Sequence, residues 1–355
     1  METRSLEFLK RLLATISPSG YEDEAAQVWA AEAKTFADEV RIDTQGNVIA
    51  VVHKGGKPRV MLAGHTDEIG FMITHIDDQG FLYFGQIGGW DPQIAQGQRV
   101  WIRTATGRVL GVIGKKPIHL IKEEERTKVT KTDELWIDIG AKEKTEAEKL
   151  VRIGDPVVVD YGFAELRNGL VVSRGFDDKA GAFTVLEAGR LLAKLNPKAE
   201  VHIVATVQEE VGLRGAHTSA FGVDPLVGIA VDVGFATDFP TMGDEQKRLG
   251  VAKVGQGPLI ARGPTYNHRV VDLLMETAQA HKIPTQLHAE PRGTGTDAYA
   301  MQMTRAGIAA GLVSIPNRYM HSPCEIVSLS DLENAYTLIA QTVAQIDEKM
   351  SFARH

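Results

Sequence analysis

The stretch Val201-His-Ile-Val-Ala-Thr-Val-Gln-Glu-Glu-Val-Gly-Leu-Arg-Gly215 constrains this chain more than any other. A β-branched run bounded by polar residues reads as a strand buried on both faces, as in a parallel sheet. The run ends in Glu209 and Glu210, at the edge of an α/β sheet where ligands bind. Two adjacent carboxylates repel unless a cation or a shared proton compensates them.

Other apolar runs end in the same way. Arg59-Val-Met-Leu-Ala-Gly-His65-Thr-Asp67 delivers a His and an Asp two positions apart, on one side of an extended segment. Leu226 to Asp232 ends in a carboxylate, and Leu312-Val-Ser-Ile-Pro leads on to His321. Leu170-Val-Val-Ser runs through Arg174-Gly-Phe into Asp177-Asp178. The site thus draws on five segments. The collected ligands are imidazole and carboxylate with no thiol, a set suited to one or two Zn, Co or Mn ions.

Gly64-His-Thr-Asp-Glu-Ile-Gly70, Phe176-Asp-Asp-Lys-Ala-Gly181, Gln208-Glu-Glu-Val-Gly212, Val231-Asp232 and Tyr319-Met-His-Ser-Pro323 occur in one order along the chain. In this combination the sequence resembles the dinuclear aminopeptidases that form tetrahedral particles. These are the TET or glutamyl aminopeptidases, within the co-catalytic zinc exopeptidases, and the resemblance spans nearly the whole chain. It implies an α/β/α catalytic domain on a mixed sheet with a small all-β domain, a barrel or PDZ-like unit, inserted into it. It also implies two divalent ions per subunit: His65 and Asp232 on one, Glu210 and His321 on the other, Asp177 bridging. Glu209 is then the general base, and Asp67 accepts the second ring N–H of His65. The resemblance further implies a cis peptide between Asp177 and Asp178, peptide substrates and a homo-oligomer, a dodecamer built through the inserted domain.

The rest of the chain agrees. Its 355 residues suggest about two domains, and 43% hydrophobic content supports a sizeable core. A net charge of −7 with no long basic run argues against nucleic acid and anionic membranes as partners. No apolar stretch is long enough to span a bilayer, and the opening residues lack a secretory core, so a cytoplasmic location is expected. The single cysteine, Cys324, excludes an internal disulfide and reads as a small buried hydrophobe.

In chain order, Leu6, Leu9, Leu13 and Ile16 mark a helical face, and Ser19-Gly-Tyr-Glu22 reads as a capping box before a second helix. A hairpin turns around Gln45-Gly-Asn47. From Phe71 to about Val159 short β-like runs replace helical periodicity, which places the inserted domain at residues 69–166 and the catalytic domain at 1–68 and 167–355. Trp90, Trp101 and exposed sheet edges in that domain are candidate interface features. Lys122 to Glu134, dense in charge, reads as an exposed, mobile loop. Past Asp178, Phe183, Leu186, Leu191 and Leu195 give an amphipathic helix. Later helices are expected at Ala216 to Phe221, at Val270 to Lys282, after the Gly293-Thr-Gly-Thr-Asp297 turn, and from Leu332 to Ile346.

Residue spacing alone leaves an aminopeptidase, a deacylase and a carboxypeptidase open. A glycosidase needs two carboxylates ~5 to 9.5 Å apart across a bond, which adjacent Glu209 and Glu210 do not offer, and it leaves His65 and His321 without a task. A non-catalytic assembly protein has no need of the full ligand set. His75, His119, His202, His217, His268 and His288 fall outside the matched blocks and read as structural or surface residues.

Overall fold

A computed structural model describes residues 1–353. Its large sheet has eight strands in the order Glu39–Ile42, Val48–Val52, Glu200–Thr206, Arg59–His65, Val227–Phe235, Ala309–Asn317, Leu259–Arg262 and Gln286–Ala289. The middle four run parallel, whereas Val48–Val52 pairs antiparallel with Glu200–Thr206 and Leu259–Arg262 antiparallel with Ala309–Asn317. The sheet is therefore mixed. The strand before Glu209 is buried on both faces yet has one parallel and one antiparallel neighbour.

The helix Phe176–Leu195 packs on this sheet and is buried almost throughout, Asp178, Lys179, Glu187 and Arg190 included. Its expected amphipathic character is thus corrected: the charged positions are spent internally, Arg190 on Glu187 and Glu32, and Lys179 on Glu68. Phe183 lies between Phe8 and Tyr336, with ring centroids 5.8 and 6.3 Å away. Burying such a side chain contributes about 1.5–3 kcal/mol. Gly64 lets the helix meet the sheet: a Cβ there would lie 2.4 Å from the Gly181 backbone. This close approach sets the end of the His65 strand against the start of the helix that bears Asp177.

Strands Gly70–Ile76, Leu82–Ile87, Trp136–Asp138, Gly107–Gly114, Arg99–Thr104 and Pro156–Val159 close into a barrel. Closure removes the open edges expected of this domain, because every barrel strand is paired on both sides. Trp90 fills the barrel core, stacked on Phe71 at 4.7 Å, and the indole N–H of Trp101 donates to Asp160 at 2.7 Å. The barrel is tied to the second helix, Asp23–Ala33, by Arg103–Asp23 and Arg108–Glu24 ion pairs, both 2.9 Å, and by Tyr21 Oη donating to the Gly154 carbonyl.

The segment from Lys122 to Glu134 is largely exposed and holds short 3-10 turns at Glu123–Glu125 and Thr132–Glu134. A third sheet joins Ala164–Glu165, Leu170–Ser173 and Glu325–Ser328. The first helix ends at Leu13, before Ile16, which is nonetheless buried. The capping box at Ser19 does not form. Glu22 instead accepts the backbone N–H groups of Gly20 and Gln208, and the Ser19 hydroxyl donates to Asp67. No described helix is long and apolar enough to cross a membrane.

Candidate metal centre

Two clusters of ligating side chains meet at the carboxyl edge of the large sheet: His65, Glu209 and Asp232, and Asp177, Glu210 and His321. Within each, the ligand atoms lie within 4.8 Å of one another. His65 Nε2 is 3.3 Å from Asp177 Oδ1 and 3.7 Å from Glu209 Oε2. His321 Nε2 is 3.1 Å from Asp177 Oδ2 and 3.2 Å from Glu210 Oε1. Asp177 therefore stands between the clusters, with one oxygen toward each imidazole.

Local backbone explains this convergence. His65 closes its strand, while Asp232 sits within Val227–Phe235, whose last residues extend beyond it. Asp177 follows Gly175, at φ +66°, and a cis peptide joins it to Asp178. Gln208, Tyr319 and His321 all have φ between +56° and +64°. Such left-handed non-glycine residues are uncommon and gather at functional sites.

Both imidazoles are oriented by main-chain carbonyls. His65 Nδ1 is 3.0 Å from the Asp67 carbonyl, and His321 Nδ1 is 2.9 Å from that of Gly89, in the segment following barrel strand Leu82–Ile87. A carbonyl can only accept, so Nδ1 carries a hydrogen in both rings, and Nε2 is the ring atom that faces the carboxylates.

Behind these residues lie buried carboxylates that accept their backbone N–H groups. Asp67 Oδ1 accepts from Glu209 and Oδ2 from Glu210, each at 3.1 Å, with Ser19 adding a bond of 2.6 Å. Asp67 does face the second ring nitrogen of His65, as expected, but with its main chain foremost. Its main chain is the closer acceptor for the His65 ring, and its carboxylate, 3.4 Å from Nδ1, mainly fixes the two glutamates. Asp178 accepts from His65 N at 3.2 Å, and Glu325 from Asp177 N at 2.9 Å and His321 N at 3.0 Å. Asp297 accepts the Thr206 hydroxyl at 2.6 Å on one oxygen, while the other is buried with no hydrogen bond.

Sequence reasoning missed Asp178 as a holder of His65, and also Glu325, Asp297 and Gly89. A side chain that bonds to a distant backbone leaves no periodic signal. Only Asp297, at the end of a glycine-rich turn, had a pattern that could have drawn attention.

Negative charge exceeds what the two imidazoles can neutralise. Burial, opposed by His65 and reinforced by Asp232, Asp297 and Asp177, pushes Glu209 up to about 10. Burial and Asp177 likewise raise Asp232 well above the usual carboxylate range, and burial raises Glu210. Burial also pushes Asp297 up to about 6. Asp177 goes the other way: against burial, hydrogen bonds from His321 and His65 hold it down. Although burial opposes it, Asp177 and Glu210 raise His321 to about 11. The arrangement calls for added positive charge.

Every ligand candidate named from the sequence lies in these clusters, and Asp67 lies directly behind them. Among the described residues the other histidines stay apart. His202, for example, pairs with Glu200 at 2.8 Å. Cys324 is only partly buried, short of the full burial expected.

Residues 46–338 match the M42 glutamyl aminopeptidase family. The chain belongs to this family. It is 38% identical to the lysyl aminopeptidase of Pyrococcus furiosus over 335 residues, 94% of each chain. Its fold superposes on the TET aminopeptidase of Thaumarchaeota archaeon SCGC AB-539-E09 with a TM-score of 0.91, at 36% identity and 98% coverage of each chain. It also matches the Pyrococcus horikoshii TET1 peptidase, described as assembling into a tetrahedron or a large octahedral shell, with a TM-score of 0.85 and 32% identity over 96% of this chain and 100% of the other. A Thermotoga maritima protein described as an endoglucanase shares the fold at a TM-score of 0.76 and 28% identity, over 94% of this chain and 96% of that one.

Proposed function

We propose that this M42 family member is a metal-dependent aminopeptidase that removes N-terminal residues from short peptides. The observation that carries the reading is Asp177, whose two oxygens face the Nε2 atoms of two imidazoles that are each protonated on Nδ1. The donor set fits a cation pair. Glu210 Oε1 and Asp177 Oδ2 both crowd His321 Nε2, at 3.2 and 3.1 Å, and the surrounding carboxylates repel one another. His65 and Asp232 would hold one ion, Glu210 and His321 the other, and Asp177 both, with Zn or Co, and Mn as a further candidate, suiting these ligands. Such a pair, when bound, supplies an acidified water and polarises the scissile carbonyl.

The chain supplies the proton transfer. Glu209, buried beside His65, takes the proton of the attacking water on its carboxylate and returns it to the departing amine. Asp67 holds the Glu209 and Glu210 backbones while this happens. The endoglucanase description of one neighbour is answered by the same geometry: a glycosidase needs no pair of imidazoles turned toward one carboxylate.

A panel of aminoacyl chromogenic substrates and a cellulosic substrate, each with added Zn, Co or Mn, tests the reading. Release of the aminoacyl chromophore only with metal is expected. Hydrolysis of the glycan alone would overturn it.

The assembly is a homo-oligomer, a dodecamer, built through the inserted barrel, and it acts in the cytoplasm. Support comes from the shell-forming TET1 relative and from apolar side chains on the barrel's outside, Leu110 and Val112, each 44% exposed. Light scattering on the intact protein, and on a variant with residues 71 to 164 replaced by a short linker, tests it. A monomeric intact protein, or an unchanged oligomer after the replacement, refutes this part.

A further inference from the structure

Glu325 is a buried carboxylate that joins two of the candidate ligands. It is 2% exposed, and no described Lys, Arg or His forms an ion pair with it. Its Oε2 accepts the backbone N–H of Asp177 at 2.9 Å and its Oε1 that of His321 at 3.0 Å. Asp177 is 148 residues away in sequence, so one carboxylate joins two ligands delivered by unrelated parts of the chain.

Strand pairing makes this possible. Glu325 opens the strand Glu325–Ser328 and lies opposite Ser173, the last residue of Leu170–Ser173, from which the chain passes directly to Asp177. The loop ahead of Glu325 carries His321, at φ +59°. Neither ligand backbone belongs to a regular strand or helix turn at that point. Asp177 has ψ +104° inside what is otherwise helix. Hydrogen bonds to a shared acceptor therefore supply the order that secondary structure does not. Burial this deep, with Asp177 nearby, pushes Glu325 well above the usual carboxylate range, and the two backbone N–H bonds oppose that rise only in part.

The holders divide the work. Asp67 serves Glu209 and Glu210, Asp178 serves His65, and Glu325 serves Asp177 and His321. We propose that Glu325 is the positioning residue of the second cluster, holding two of its three ligands so that it sets the affinity for the cation bound by Asp177, Glu210 and His321. The proposal rests on the reading of that cluster as a cation site. Glutamine cannot replace it, since its amide nitrogen would face one of the two N–H donors.

The test is titration of cobalt and of zinc, separately, into chelator-stripped protein, followed by calorimetry, with stoichiometry from elemental analysis and the thermal midpoint of each stripped protein recorded alongside. Wild type should take two cations. Glu325→Gln should bind the cation at Glu210 and His321 10–100-fold more weakly, the usual loss when a ligand's supporting partner is removed, and the cation at His65 and Asp232, which shares only Asp177, should weaken less. Glu325→Asp, which keeps both oxygens on a shorter stem, should recover part of that loss.

Two unchanged affinities in Glu325→Gln would overturn the proposal. So would an equal weakening of both cations accompanied by a fall in the stripped protein's midpoint, the mark of a general structural role. Should Glu325→Gln fail to fold, Glu325→Asp decides alone, by whether one cation is selectively weakened. If wild type itself binds fewer than two cations, the metal reading fails first and this proposal falls with it.

Discussion

His65 is held at Nδ1 by the main-chain carbonyl of Asp67, at 3.0 Å, in preference to that residue's carboxylate at 3.4 Å. The tautomer of His65 therefore survives loss of the Asp67 charge. In Asp67→Asn one of the Glu209 and Glu210 N–H groups would face an amide nitrogen, a cost of about 1–3 kcal/mol. Turnover should fall 10–100-fold while the cation at His65 stays bound. Metal content measured beside kcat checks this: loss of that cation, as in His65→Ala, would mean the carboxylate is the true holder of the ring.

The adjacent glutamates should separate cleanly on substitution. Glu209→Gln is expected to keep both metals and lose about 10² to 10⁴ in turnover, the range for a missing general base. Glu210→Gln should weaken one cation. Because Glu209 shares a cluster with His65 and Asp232, the reverse result would exchange the two roles.

Exhaustive chelation should abolish peptidase activity, and cobalt, zinc or manganese should restore it. Activity persisting in protein shown by elemental analysis to be metal-free would contradict the mechanism.

Cation uptake should be coupled to protons. His321, held up at about 11, carries at neutral pH a proton that a metal ligand must lose. Protons thus compete with the cations, and the sign follows: affinity falls with acid and rises with pH until the His321 value of about 11 is passed. Calorimetry in buffers of different ionisation enthalpy reads the released protons directly. Uptake without proton release would refute the coupling.

Where the barrel leaves the catalytic domain, Glu68 is buried between Arg174 and Lys179, with Lys179 Nζ at 2.7 Å. Glu68→Ala leaves two buried cations uncompensated and should cost about 3–5 kcal/mol in denaturant unfolding. A loss below about 1 kcal/mol, the scale of a surface pair, would show that water reaches the site.

The candidate site residues were legible in the sequence because His65, Glu209 and Asp232 each end or follow an apolar run, and a sheet collects such ends along one edge. What escaped had a different physical character. The helix after Asp177 looked amphipathic because Glu187 and Arg190 resemble a polar face, yet they neutralise each other inside the core. Ser19 and Glu22 had the spacing of a helix cap, but buried Asp67 and the Gln208 backbone are their partners instead. Barrel closure, which removes the edges, depends on pairings that no local pattern encodes.

The Gly89 carbonyl that orients His321 belongs to the inserted domain, and a Cβ on neighbouring Gly88 would lie 3.2 Å from Glu210 Oε2. The barrel is consequently not an interchangeable cassette. A chimera that grafts a relative's barrel onto this chain inherits, along with its outer surface, a new setting for one imidazole, so changes in the barrel are transmitted to the candidate metal centre.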